Sequence, residues 1–97
     1  MAQISLEWED SAKEEVRDIY TFHYERSIDY ADHWSDQVVK KVNDLLVFPE
    51  MGRMVPDIQM TTVREVFVGS YRLVYQFRDN KIIILAVRPM GRPLGKI

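Results

Sequence analysis

The sequence predicts an α+β domain of two layers, β-α-α-β-β-β, in which a helical hairpin packs on one face of a mainly antiparallel sheet. In the first half of the 97 residues, apolar side chains recur at helical spacing. In the second half, three β-rich runs are separated by two-residue turns. The chain contains no linker, repeat or low-complexity segment, so residues 1–97 are expected to form a single domain.

The first strand and the first helix are predicted from side-chain spacing. Residues 3–8 alternate polar and apolar side chains, which is typical of a short strand with one buried face. Ser11 and Glu14 form a capping box, in which each side chain accepts a hydrogen bond from the backbone N–H of the other residue. Apolar residues continue at helical spacing from there, so the first helix is expected to end at about Tyr24.

A second helix is predicted from about Ser27 to the residues before Pro49, which has no N–H with which to continue a helix. Its apolar stripe consists of Ala31, Trp34, Val38, Val42, Leu45 and Leu46. The acidic residues of both helices lie mostly off the apolar stripes, so they are expected to face solvent. Residues 49–62 contain prolines and a glycine with little periodicity, and a loop is predicted there.

Three further strands are predicted at residues 63–68, 71–78 and 81–87, joined by tight turns at residues 69–70 and 79–80. Because side chains alternate along a strand, these turns assign each residue to one of two faces. The first face, expected to lie under the helices, contains Arg64, Val66, Val68, Tyr71, Leu73, Tyr75, Phe77, Ile82, Ile84 and Ala86. The second face contains Val63, Glu65, Phe67, Arg72, Val74, Gln76, Arg78, Lys81, Ile83, Leu85 and Val87. No later element remains to cover the second face, so it is expected to be open and to bind a partner.

The net charge of −2 hides two oppositely charged halves. Residues 1–50 contain twelve acidic and five basic side chains, a net charge of −7, whereas residues 51–97 contain three acidic and eight basic ones, a net charge of +5. Six of the eight arginines lie in the second half. This separation indicates that the sheet, the loop and the C-terminal residues present a different surface from the helices.

Composition excludes several classes of protein. The chain has no cysteine, which excludes disulfides and thiolate metal sites, and the two histidines lack metal-ligand spacing. The sequence has no phosphate-binding loop and no Ser-His-Asp set, so neither a metal nor a cofactor is expected. The longest apolar run, residues 82–87, is too short to span a bilayer, and no secretory signal is found. A cytoplasmic protein without membrane association is therefore expected.

The order of elements and three local motifs resemble the RelE/ParE superfamily of toxins. The motifs are the segment 49–57, the pair Arg64-Glu65 and the run Tyr-Arg-Leu-Val-Tyr at residues 71–75. The resemblance covers nearly the whole chain. It implies the toxin of a type II toxin–antitoxin module, neutralised in a hetero-oligomer by a cognate antitoxin whose C-terminal segment wraps the toxin. ParE-like members inhibit DNA gyrase, whereas RelE-like members cleave mRNA on the ribosome.

The resemblance also implies a candidate catalytic set. Arg72 and Arg92 match two active-site arginines of RelE, and Glu65 is a candidate base. RNA cleavage by the 2′-hydroxyl needs a base, cations for the phosphorane charge and an acid for the leaving oxygen. The two lysines that RelE carries before Tyr71 correspond to Val63 and Glu65, and no convincing acid is found. Inhibition of gyrase is therefore the leading hypothesis. A ribosome-dependent mRNA endonuclease is the alternative, and a degenerate, non-toxic member that binds its antitoxin is a weaker one.

The candidate partner-binding surface combines the second face with the C-terminal residues. Its members are Phe67, Arg72, Val74, Arg78, Ile83, Leu85, Arg88 and Arg92. Apolar side chains flanked by arginines suit an amphipathic segment with acidic residues, as expected of an antitoxin. Residues 88–97 are cationic and contain two prolines, so they are expected to extend along a partner instead of folding back. Arg72 can also form a simple diagonal ion pair with Glu65 across the hairpin.

Overall fold

Two helices pack against one face of a five-stranded sheet in the computed structural model, which describes residues 3–95 and 97. The elements are β1 (Ser5–Trp8), α1 (Asp10–Tyr24), α2 (Ile28–Val47), β2 (Arg53–Met54), β3 (Val63–Val68), β4 (Tyr71–Arg78) and β5 (Lys81–Pro89). The strand order across the sheet is β1-β5-β4-β3-β2, in which β1 is parallel to β5 and the other pairs are antiparallel. The predicted two-layer α+β class is confirmed.

The two helices begin differently. α1 starts at Asp10, so Ser11 lies inside the helix and the N-cap residue is Glu9. Within the described residues the Glu9 side chain makes no capping hydrogen bond, and the predicted capping box of Ser11 and Glu14 is wrong. α2 follows Ser27 as predicted, and the Ser27 hydroxyl accepts a hydrogen bond from the backbone N–H of Tyr30 at 3.2 Å. In the part of the chain that the structure describes, neither helix is long and apolar enough to cross a bilayer.

The apolar stripes of the helices and the first face of the sheet form the main core. Trp34 of α2 is buried, and its indole N–H donates to the carbonyl of Val68 at 3.2 Å. His23 Nε2 of α1 lies 2.7 Å from the Tyr71 hydroxyl of β4, which links the hairpin to the sheet. Leu46, predicted on the stripe of α2, is instead exposed. The buried members of this core are Ala12, Trp34, Val38, Leu45, Val66, Val68, Leu73, Tyr75, Ile82, Ile84 and Val87.

Both predicted two-residue turns are confirmed. Val68 pairs with Tyr71 across the first turn, and Arg78 pairs with Lys81 across the second. At the second turn, residues 79–80 have positive φ angles of 54° and 59°, the geometry of a type I′ hairpin. The register of β3 against β4 therefore follows the predicted alternation of faces along its whole length.

A β-bulge shifts the register between β4 and β5. Val74 pairs with Ala86, but the next residue of β4 pairs with Ile84, which leaves Leu85 as an extra residue. Beyond the bulge, Ala86 packs on the second face and Val87 packs in the core of the first face. The predicted faces of Ala86 and Val87 are therefore wrong, because one extra residue reverses the alternation of side chains.

The predicted loop contains a short strand, β2, that was not predicted. Arg53 pairs with Glu65 and Met54 pairs with Arg64 at the edge of β3. Two residues are too few to show the alternation by which strands are recognised in a sequence. At the other end of the domain, β5 continues to Pro89, two residues beyond its predicted end.

The buried hydroxyl of Tyr75 fixes the start of this loop. It donates a hydrogen bond to the carbonyl of Pro49 at 2.7 Å and accepts one from the N–H of Gly52 at 3.0 Å. A Cβ atom on residue 52 would lie 2.7 Å from the carbonyl oxygen of Glu65, closer than side chains approach, so glycine is required there. A tyrosine hydroxyl is protonated at neutral pH, and burial raises the pKa of Tyr75 above its usual value still further.

We expect Tyr75→Phe to lower the free energy of unfolding by about 1–3 kcal/mol, because the buried N–H of Gly52 loses its acceptor. Chemical denaturation followed by tryptophan fluorescence measures the change. Tyr24→Phe is the matched control, because Tyr24 is exposed, and it should change stability by less than about 0.5 kcal/mol. Equal stability of Tyr75→Phe and the parent chain would contradict a structural role for this hydroxyl.

Candidate functional site

The second face of the sheet is covered over its centre. The covering loop, residues 55–62, and the C-terminal segment, of which residues 90–95 and 97 are described, fold across it, and Leu94 is 2% exposed. The buried members of this second core are Val55, Val63, Val74, Ala86 and Leu94. The expectations that no element covers this face and that the C-terminal residues do not fold back are wrong, because covering apolar strand residues removes them from water. Lys96 lies outside the described residues.

An ionic cluster of Asp57, Glu65 and Arg72 joins this cover to the sheet, with Asp57 in the covering loop itself. Arg72 Nη1 lies 3.2 Å from both Asp57 Oδ1 and Glu65 Oε1, and Nη2 lies 3.3 Å from Asp57 Oδ2. The side chains of Glu65 and Arg72 are 0% and 9% exposed. Arg72 Nη2 also donates a hydrogen bond to the carbonyl of Arg92 in the C-terminal segment. A single guanidinium therefore joins the covering loop, two strands and the C-terminal segment.

Strand pairing explains why Glu65 and Arg72 meet. Phe67 pairs with Arg72 across the β3–β4 hairpin, which places Glu65 diagonally opposite Arg72 on the second face. Glu65 also accepts a hydrogen bond from Arg53 Nε at 2.7 Å, and the Arg53 guanidinium lies 5.2 Å from the centroid of the Phe67 ring. The buried carboxylate is thus paired with two cations, which offsets the cost of removing its charge from water.

Asp57 binds both the sheet and the C-terminal segment. Besides its two contacts with Arg72, its Oδ2 accepts a hydrogen bond from the backbone N–H of Leu94 at 3.2 Å. The hydrogen bonds from Arg72, followed by that from Leu94, hold the pKa of Asp57 below its usual value. Burial by itself would lower the pKa of Arg72, but the hydrogen bonds to Asp57 and Glu65 outweigh it and raise that pKa. Asp57 and Arg72 are therefore a charged pair at neutral pH.

Arg88 joins α1 to the C-terminal segment. Its Nε lies 2.9 Å from Glu15 Oε2, and its Nη1 donates to the carbonyl of Leu94. The other carboxylate oxygen of Glu15 accepts a hydrogen bond from the N–H of Val87 at 3.2 Å. β1 ends opposite Ile84, so in the described part of the chain no strand pairs with β5 at Val87 on that side. The Glu15 side chain of α1 binds the backbone there instead.

The structure brings together only part of the predicted catalytic set. Glu65 and Arg72 are in contact. Arg92 contributes its backbone carbonyl, and among the described residues its guanidinium forms no ion pair or hydrogen bond. Of the predicted partner-binding residues, Arg72 and Val74 are buried and Arg88 is bound within the domain. The accessible members of that set are Phe67, Arg78 and Arg92, together with the partly buried Ile83 and Leu85.

Asp57 was not predicted from the sequence as a member of this site. The residue lies in a loop without periodicity, and its partners Arg72 and Leu94 are 15 and 37 positions away in the chain. The one signal was its position at the end of segment 49–57, which contributes to the family resemblance. Spacing gives no indication of contacts between a loop and a distant C-terminal segment.

A cavity of about 600 Å³ lies between the covering loop and the end of the chain. Its lining includes Ile58, Met60, Leu85, Arg88 and Ile97. This mixture of apolar and charged side chains suits an amphipathic segment of another protein. Within residues 3–95 and 97, no group of three His, Asp or Glu side chains is arranged to hold a metal ion.

The fold and the site define a small α+β protein in which a charged cluster holds a loop and a C-terminal segment on the sheet. A sequence profile for the ParE toxin of the type II toxin–antitoxin system, parDE, matches residues 6–94. The chain belongs to that family of toxins. The resemblance to the RelE/ParE superfamily, closer to its ParE-like members, is thereby confirmed.

Two solved structures share this fold. The chromosomal ParDE toxin–antitoxin system from P. aeruginosa matches with a TM-score of 0.70 and 22% identity, covering 90% of this chain and 96% of that chain. The intact E. coli RelBE toxin–antitoxin complex matches with a TM-score of 0.63 and 23% identity, covering 94% of this chain and 100% of that chain. No curated protein matches the sequence significantly.

We expect Glu65→Gln to reduce the free energy of unfolding by about 3 kcal/mol. This value is the lower end of the loss for breaking a buried ion pair, because Arg72 keeps its ion pair with Asp57. Urea denaturation at neutral pH measures the loss. Glu50→Gln is the matched control, because the Glu50 side chain is 70% exposed and 3.6 Å from Arg64, and it should cost less than about 1 kcal/mol. Equally small effects for both variants would show that the Glu65 carboxylate is not a structural group.

Proposed function

We propose that this ParE-family toxin inhibits DNA gyrase by binding it, and that a cognate antitoxin neutralises the toxin in a hetero-oligomer. Membership of the family supports the toxin role, and the likeness in fold to the ParDE and RelBE systems supports an antitoxin partner. The observation that carries the choice of gyrase over RNA cleavage is the ionic cluster of Asp57, Glu65 and Arg72.

Glu65 is poorly suited to act as a general base. A base for RNA cleavage must reach the 2′-hydroxyl of its substrate. The Glu65 carboxylate is buried, and its two oxygens bind Arg53 and Arg72. A nucleotide would have to replace these arginines before its hydroxyl could donate a proton to this carboxylate.

Arg72 is poorly suited to stabilise a phosphorane. That task needs N–H groups directed at the developing charge. The Nη atoms of Arg72 already donate to Asp57, Glu65 and the carbonyl of Arg92. The second candidate cation, Arg92, offers this site an oxygen instead of its guanidinium. The arrangement favours a toxin that binds its target over one that cleaves RNA.

We assign the C-terminal segment to the gyrase-binding surface. Arg92, Met90 and Ile97 are exposed on this segment, so it offers a cation beside apolar side chains. Surfaces of this composition suit a protein partner, because arginine and methionine are enriched where proteins bind one another. Arg72, Val74 and Arg88, predicted for the same surface, are engaged within the domain and are left out of this assignment.

The part of the second face that stays uncovered suits the antitoxin. Ile83 and Leu85 are partly buried there, Arg78 is exposed, and the cavity of about 600 Å³ adjoins Leu85. An amphipathic antitoxin segment would bury its apolar side chains on this surface and place an acidic residue beside Arg78.

Purified toxin should inhibit DNA supercoiling by gyrase in a reaction that contains no ribosomes. Arg92→Glu should raise the toxin concentration that is required for inhibition by about tenfold, because it reverses a charge on the proposed surface. Arg17→Glu makes the same change of charge at an exposed position of α1 and should leave inhibition unaltered.

The two alternative functions, RNA cleavage and antitoxin binding alone, give different results when the toxin is tested on gyrase and on ribosomes. Cleavage of mRNA on stalled ribosomes, without any effect on gyrase, would contradict the proposal. Loss of that cleavage in Arg72→Ala, in a variant that circular dichroism shows to keep its fold, would then assign the cleavage to the RelE-like set. Inactivity in both reactions would indicate the degenerate, non-toxic member that binds its antitoxin.

Arg78→Glu should weaken binding of the antitoxin, which we expect the neighbouring gene to encode, by about tenfold or 1.4 kcal/mol at low salt. The loss should shrink at high salt, because salt screens exposed charges. Isothermal titration calorimetry measures the affinity, with Arg17→Glu as the control of equal charge change. Equal affinities of the parent chain and Arg78→Glu would remove this end of the second face from the interface.

A further inference from the structure

The C-terminal segment is held in place by charged side chains. In its described part, residues 90–95 and 97, no helix fixes the backbone. Two carbonyls and one N–H of the segment bind side chains of the covering loop and the sheet. These contacts are Arg72 with the carbonyl of Arg92, Arg88 with the carbonyl of Leu94, and Asp57 with the N–H of Leu94.

Asp57 makes one of these three contacts itself and supports a second through Arg72. It accepts the N–H of Leu94 directly, and it orients Arg72, which binds the carbonyl of Arg92. Its two oxygens lie 3.2 and 3.3 Å from the two Nη atoms of Arg72, and such a bidentate pair fixes the direction of the guanidinium. The burial of Leu94 in the second core completes the attachment of the segment.

We propose that Asp57 is a positioning residue that holds the C-terminal segment in the arrangement in which the toxin contacts its target. The inference rests on the proposed function, which assigns that segment to the target-binding surface. Without the Asp57 carboxylate, Arg72 keeps its ion pair with Glu65, but the N–H of Leu94 loses its acceptor. The exposed side chains of the segment, Arg92 among them, then lose their fixed position relative to the sheet.

Asp57→Asn tests the proposal with little change of shape. The amide keeps one acceptor oxygen, but its NH₂ group is a donor and faces the donors of Arg72 and Leu94. Hydrogen exchange measured by NMR reports local opening at the Leu94 amide. We expect this amide to exchange about tenfold faster, or more, in Asp57→Asn than in the parent chain.

Two control variants separate positioning from a general loss of stability. Asp36→Asn removes the same charge from an exposed position of α2. Val38→Ala weakens the main core, on the other side of the sheet from the C-terminal segment. Both variants should leave exchange at Leu94 unaltered under native conditions, because that amide opens locally.

Growth arrest on expression, at equal protein levels, is the functional readout, and it does not depend on which target is bound. We expect Asp57→Asn to abolish arrest, whereas Asp36→Asn and Val38→Ala retain it. Unaltered exchange at Leu94 in Asp57→Asn would overturn the proposal. Full arrest by a variant whose segment is released would overturn it equally.

Leu94→Ala provides a second route to the same state, because it removes the apolar anchor and leaves Asp57 and Arg72 intact. It should also speed exchange in the C-terminal segment and abolish arrest, and a released but fully toxic Leu94→Ala would overturn the proposal. A parent chain that fails to arrest growth would refute the proposed function. The exchange measurement would still decide whether Asp57 holds the segment.

Discussion

The buried carboxylate of Glu65 is the constraint on which much of this structure depends. A carboxylate without contact with water persists in a protein when cations are close to it, and Arg53 and Arg72 supply them. Arg72 in turn binds Asp57 and the carbonyl of Arg92, and these contacts hold the covering loop and the C-terminal segment across the sheet. The second apolar core forms beneath them. The ion pairs of Glu65 and the burial of the apolar side chains of the second core together explain why a face without a third layer is nevertheless covered.

The same cluster decides how the site can act. Of the residues that resemble a nuclease set, Glu65 and Arg72 bind each other, and the Nη atoms of Arg72 also donate to Asp57 and to the carbonyl of Arg92. Substrate groups would have to compete with these hydrogen bonds, although among the described residues Arg72 Nε is buried without a hydrogen-bond partner. Exposed arginines lie elsewhere, among them Arg78 at the end of β4 and Arg92 on the C-terminal segment. A toxin with this arrangement is suited to binding a macromolecule. In the proposed function, Arg92 binds the target and Arg78 binds the antitoxin.

The sequence predicts the regular parts of the domain because their signals are local. Two-residue turns set the register of β3 against β4, and that register predicted the contact between Glu65 and Arg72. The bulge at Leu85 has no Gly or Pro to mark it, so the faces beyond it were assigned wrongly. Asp57 and Leu94 could not be predicted, because contacts between a loop and a distant segment leave no periodicity. The part of the site that was not predicted is the covering loop and the C-terminal segment, to which Asp57 and Leu94 belong.

We infer that the guanidinium of Arg72 stabilises the fold and is not an open binding site, because both of its Nη atoms donate to groups of the domain. Nitrogen-15 NMR of arginine side chains tests it most directly, because bidentate pairing slows rotation of the guanidinium and exchange of its protons. We predict separate, slowly exchanging Nη signals for Arg72 and averaged signals for exposed Arg78. Averaged, rapidly exchanging signals for Arg72, like those of Arg78, would contradict it.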